Sequence, residues 1–144
     1  MSTVIRPKLS KNNKYYISEH RYYELKHFCL QYPEWKSEYL NCDSIVRTGG
    51  MGIRSSDISD PVARAAEKRE DYLRLMEMVE QTAIAADGDI YQFILKAVCY
   101  GVSFTALKNV HDMPCGKDMF YDRYRKFFWL LDKVREKNVF LNRN

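Results

Sequence analysis

The chain has 144 residues, of which 46% are hydrophobic and 29% charged. That is the balance of one globular domain, and it excludes a wholly disordered or low-complexity polypeptide. A chain of this length buries enough apolar surface to fold without a metal or disulfide staple. The formal net charge of +4 is modest but unevenly placed. Residues 1–36 carry seven Lys or Arg against three Glu, residues 37–116 carry eight against twelve acids, and residues 117–144 carry eight against four. Basic ends around an acidic middle suit a protein that meets a polyanion. Solvated helix faces give the same pattern. Cys29, Cys42, Cys99 and Cys115 form no CxxC pair and have no His at ligand spacing, so no zinc or other metal site, and no cofactor, is expected. The absence of a secretory signal or a membrane-length apolar run points to a reduced, cytoplasmic setting with no membrane partner.

Residues 1–14 (MSTVIRPKLSKNNK) are polar and basic without periodicity and are expected to form a flexible arm. Ser18 is the side-chain cap of a helix from Glu19 to about Gln31, with Tyr22, Leu25, Phe28 and Cys29 facing a core. Pro33 suits the first turn of a short second helix through Trp35, Tyr39 and Leu40. Residues 15–41 are therefore expected as a helical pair. Residues 42–60 hold Gly49, Gly50 and Gly52 among Ser and Asp, and read as a long flexible loop. The glycines lack the following Lys-Ser/Thr of a phosphate loop.

Residues 61–144 are expected as a helical domain. Asp60-Pro61 combines a side-chain cap with a residue that needs no N–H partner. The helix it starts runs to about Ala86, roughly 40 Å long. Ala66, Leu73, Met76 and Ala83 form a narrow seam on it, widened by Leu75 and Val79. This seam suits a core helix. It also suits pairing with a second copy, so a homodimer is an expectation to be tested. Asp87-Gly88-Asp89 breaks the helix. A compact helix follows from Ile90 to Tyr100 through Phe93, Ile94, Ala97 and Val98, closed by Gly101 in a left-handed cap.

From Ser103 the pattern is a short helix to about His111 with Leu107 and Val110 inward, a turn at Met113–Gly116, and a long helix from Lys117 to about Glu136. Helix, short turn and helix is the layout of a helix-turn-helix, here spanning about 103–136. The fold expected is thus an all-α helical bundle with a helix-turn-helix-like unit at its C-terminal end. Phe120, Tyr124, Phe127, Leu131 and Val134 repeat at helical spacing as the buried stripe. Lys117, Asp118, Tyr121, Asp122 and Arg125 occupy the other face in the first turns, which in this motif enter the major groove. Arg125 suits paired hydrogen bonds to guanine, and Asp118 or Asp122 suits a cytosine amine. Arg123, Lys126 and Lys117 suit phosphates, which give affinity without sequence choice.

The stretch Met113 to Phe128 (MPCGKDMFYDRYRKFF) resembles the recognition half of sigma-factor region-4-like helix-turn-helices in small phage transcription activators. The aromatic pair is Phe120-Tyr121, and Arg123, Arg125 and Lys126 are the basic run. Val79 to Leu107 resembles the helices that support such a unit, and YYISEHRYYELKHFCLQYPEWKSEYL is similar to prophage proteins of Gram-positive bacteria. Two features depart from the family pattern: Gly116 stands where the turn cap is usually Ser or Thr, and Asp118 and Asp122 dilute the positive face. The resemblance implies a phage transcriptional regulator in the bacterial host cell. It would bind double-stranded promoter DNA and contact host RNA polymerase.

A rival expectation is a phage-encoded inhibitor of a host protein or nucleoprotein, for example a CRISPR effector nuclease. Its acidic middle would then mimic DNA or clamp the target. No enzyme is expected. His20, His27 and His111 are scattered without a nucleophile at a useful spacing. Glu77 and Glu80 share a helix face but no Glu-x-x-His follows.

Overall fold

The computed structural model describes residues 9–49 and 60–141, with side chains as far as Lys137. Among these residues there are six helices, α1 (Glu19–Leu30), α2 (Tyr32–Arg47), α3 (Pro61–Ala86), α4 (Tyr91–Tyr100), α5 (Phe104–Asn109) and α6 (Lys117–Leu141). The protein is all-α, with no strand among the described residues. No helix in them is long and apolar enough to cross a membrane.

The helix starts follow from local chemistry. Ser18 Oγ accepts the Arg21 N–H at 3.3 Å, Asp60 Oδ1 accepts the Val62 N–H at 2.9 Å, and Ser103 Oγ accepts the Ala106 N–H at 3.2 Å. Each satisfies a donor that the first turn of a helix leaves unpaired. Gly101 ends α4 at φ +67°, and the N–H groups of Gly101 and Val102 return to the carbonyls of Ala97 and Lys96. That reversal requires the left-handed region, which glycine enters without steric cost.

The described residues up to Leu30 and from Met78 onward form one compact unit, and Gln31–Glu77 form another. This division departs from the expected boundaries. In the first unit α1, α4 and α6 pack on one another. Tyr22, Leu25 and Cys29 of α1, Ile94, Ala97, Val98 and Cys99 of α4, and Phe120, Tyr124, Phe127, Phe128 and Leu131 of α6 are buried. Arg21 adds an ion pair from α1 to Asp132 of α6 at 2.5 Å. The buried face of α1 therefore groups it with α4 and α6, both far along the chain.

In the second unit, α2 is longer than expected. It continues through Cys42 to Arg47, into the segment read as loop. Cys42 is buried, and Asp43 pairs with Arg47 at 2.7 Å and with Arg69 of α3 at 3.0 Å. Burial and a long-range ion pair outweigh the low helix propensity of Asp and Ser there. Gly49 then turns the chain at φ +62°. The rest of the expected loop, 50–59, lies outside the described residues, as do residues 1–8 of the expected arm. At Ser10–Tyr16 the N–H groups of Asn13 and Tyr16 bond to the carbonyls of Ser10 and Asn13 at 2.9 and 3.0 Å, forming local turns.

The buried line of α3 is also displaced from the expected seam. Ala65, Met76, Val79, Thr82, Ala83 and Ala86 are buried, whereas Ala66, Leu73 and Leu75 are only partly so. Half-buried Arg69 and Tyr72 continue the stripe between Ala65 and Met76. They kept it hidden from an apolar count, because an arginine stem packs while its charge pairs. Ala66, Leu73 and Leu75 of the expected seam thus keep part of their surface exposed. Val110 corrects a further expectation. It is 71% exposed, because α5 stops at Asn109 and the backbone then turns through Asp112 at φ +54°.

Candidate nucleic-acid interface

The start of α6 is held in place by the segment before it. Lys108 of α5 donates from Nζ to the carbonyls of Met113 at 2.9 Å and Cys115 at 3.1 Å. The Met113 N–H returns to the Leu107 carbonyl at 3.0 Å, and the side chains of Met113 and Cys115 are buried. One ammonium thus satisfies two carbonyls that no helix would satisfy. Gly116 caps α6 through its backbone only, its carbonyl accepting the Phe120 N–H at 3.0 Å. Asp118 in the first turn complements the positive end of the helix.

Phe120, Tyr124, Phe127 and Leu131 are buried, as their spacing predicts. Phe128 joins them, and Val134 is only half-buried. The rings form a continuous stack. Phe104 meets Phe120 at 5.8 Å, Phe120 meets Tyr124 at 6.1 Å, and Tyr124 meets Phe128 at 4.9 Å. The Tyr124 hydroxyl reaches the Tyr22 hydroxyl of α1 at 2.7 Å. This anchored face leaves the opposite side of the first three turns available.

The expected contact residues fall into two groups. Lys117 and Asp118 are exposed, and Lys117 Nζ lies 5.8 Å from the centre of the Tyr121 ring. Tyr121 is half-buried against Phe104, and burial pushes its hydroxyl pKa up although Arg125 opposes the shift. Arg125 and Lys126 are half-buried, less open than expected, and neither is in an ion pair among the described residues. Partial burial of this kind fits long stems lying along the surface with their charged ends in water.

Arg123 and Asp122 form the second group. Arg123 donates from Nε to Asp87 Oδ2 at 3.0 Å and from Nη1 to Asp122 Oδ2 at 2.6 Å. The bond to Asp87 is the main reason that its guanidinium pKa lies above the ordinary value. Asp87 also accepts the N–H groups of Asp89 at 2.9 Å and Ile90 at 3.3 Å. Burial works against its charge, but these two N–H groups and Arg123 together hold its carboxyl below the usual range. Arg123 is therefore used to tie α6 to the turn between α3 and α4, and Asp122 is already neutralised. The roles of Asp87 and Lys108 went unread in the sequence. Asp-Gly-Asp carries a turn signal, but its ion pair spans 36 residues and Lys108 binds only backbone.

Among the described residues no group of three His, Cys, Asp or Glu side chains could hold a metal ion. Comparisons with protein-family models, with curated proteins and with solved structures found no match for this chain.

Proposed function

We propose that the protein is a phage-type transcriptional regulator that binds duplex DNA through the first turns of α6. The observation that carries this reading is the set of cations there. Lys117, Arg125 and Lys126 make no ion pair among the described residues, on a helix whose other face is locked into the core. Arg125 is assigned to a base edge, Lys117 and Lys126 to phosphates, and Asp118 and Tyr121 to the flanks of that contact. Arg123 and Asp122 support the helix rather than touch DNA. The order of α5, connection and α6, and the resemblance of Met113–Phe128 to region-4-like units, add support. The connection runs from Val110 to Gly116, longer than the three or four residues usual in a helix-turn-helix.

Duplex binding by fluorescence anisotropy across a salt series tests the proposal. Arg125→Ala is expected to cost about 1–3 kcal/mol on the preferred site and to relax the choice at one base pair. Lys126→Ala is expected to weaken all duplexes alike and lower the salt slope by about one. A second reading, an inhibitor of a host nucleic-acid-binding protein, draws on the exposed acids Glu67, Glu70, Asp71 and Glu77 of α3. In that case the protein ignores bare duplex, and neutralising those acids abolishes capture of the host target.

A further inference from the structure

We infer that the outward face of α6 beyond its reading turns is a second, sequence-independent contact for the DNA backbone, built by Lys133 and Lys14 on the paired rings of Trp129 and Tyr15. This inference rests on the duplex-binding reading above. Lys133 follows Trp129 by one helical turn, and its Nζ lies 3.4 Å from the centre of the ring, directly over the face. The Tyr15 ring meets Trp129 edge-on at 5.5 Å, and Lys14 Nζ lies 4.9 Å from the Tyr15 ring centre. The Tyr15 backbone is itself held, its N–H bonding to Asn13 Oδ1 at 2.9 Å. Two lysines from opposite ends of the chain are thus brought onto one aromatic support.

Both lysines are exposed. An ammonium on an aromatic face keeps its charge but loses rotamer freedom before any ligand arrives, so less entropy is lost on binding. Lys133 lies over one face of Trp129, and Tyr15 packs against the same ring in a T-shaped contact. The stacking surface is thereby reduced, which favours phosphate over single-stranded bases as the partner. Lys126 precedes Lys133 by two turns on the same side, and exposed Lys137 follows it by one. The cations extend along about 16 Å of helix, a row that complements a phosphate strand. Asp132 is engaged by Arg21, and Glu136 makes no ion pair among the described residues.

The test uses the full chain, a preferred duplex and a scrambled duplex, in a salt series. Lys14→Gln with Lys133→Gln is expected to lower the salt slope by about two and affinity by at least about tenfold near 0.1 M salt, equally on both duplexes. Trp129→Leu keeps every charge and is expected to weaken both by about two- to fivefold, with Trp129→Phe closer to wild type. If the double variant matches wild type in slope and affinity while Arg125→Ala still loses binding, the second contact is wrong and the duplex reading stands. A changed sequence preference in the double variant also overturns it. If the wild type binds neither duplex, or its lysine-dependent binding is to anionic vesicles alone, both readings fall.

Discussion

The hydroxyls of Tyr22 and Tyr124 lie 2.7 Å apart inside the core, and each is the other's partner. Burial pushes both pKa values up, most strongly that of Tyr124, so the pair stays neutral and shares a proton donor. Tyr124→Phe strands the Tyr22 hydroxyl and is expected to cost about 1–3 kcal/mol in denaturant unfolding. The double change to Phe removes both polar groups and is expected to recover most of that loss. Asp87 gives a pH-dependent counterpart. Its folded pKa lies below the ordinary carboxyl value of 3.8, so its charge stabilises the fold above that value. This contribution fades as pH falls through the depressed folded value. Asp87→Asn keeps an acceptor for Asp89 and Ile90 but loses the attraction to Arg123. It is expected to cost about 1 kcal/mol at pH 7, with the gap to wild type closing in thermal melts below about pH 4.

At the scale of elements, two glycines bracket the segment that presents α6, and their substitutions are expected to act in opposite directions. Gly101 sits at φ +67°, where a side chain is strained even though nothing lies within 4 Å of the added carbon. Gly101→Ala is expected to destabilise by about 1 kcal/mol. Gly116 has no such conformation and the same open space. Gly116→Ser supplies the missing side-chain cap of α6 and restricts the unfolded chain. It is expected to stabilise by about 0.5–1 kcal/mol in chemical denaturation. Opposite signs at two glycines only fifteen positions apart separate backbone need from cap chemistry.

Over the whole molecule, burial is concentrated in one unit. Among the described residues of Gln31–Glu77, the buried hydrophobic side chains are Trp35, Cys42, Ala65 and Met76, whereas three buried phenylalanines and most of the buried aliphatics belong to the other unit. Local opening follows buried apolar surface. Backbone amides of α2 are therefore expected to exchange with solvent faster than those of α4 and of the Phe120–Leu131 part of α6, as hydrogen exchange would show. Equal protection would instead indicate a single cooperative unit. Ala66, Leu73 and Leu75 of the α3 seam are only partly buried, and sedimentation at micromolar concentration tests the homodimer expected of that seam.

What the sequence determined by itself is the set of features decided within about four residues. These are the caps at Ser18, Asp60 and Ser103, the left-handed stop at Gly101, and the aromatic stripe of α6. Each depends on a side chain and the backbone beside it, so chain order and residue type suffice. The tertiary structure decided what depends on distant partners. Asp43 binds Arg69 26 positions away and carries α2 through a stretch that composition reads as loop. Arg123 binds Asp87 and so ties α6 to the turn before α4. Tyr15 meets Trp129 and joins the N-terminal segment to the last helix. A charged or aromatic side chain carries no mark of its partner until folding brings the two together, and that pairing determines whether its charge holds the fold or faces a ligand.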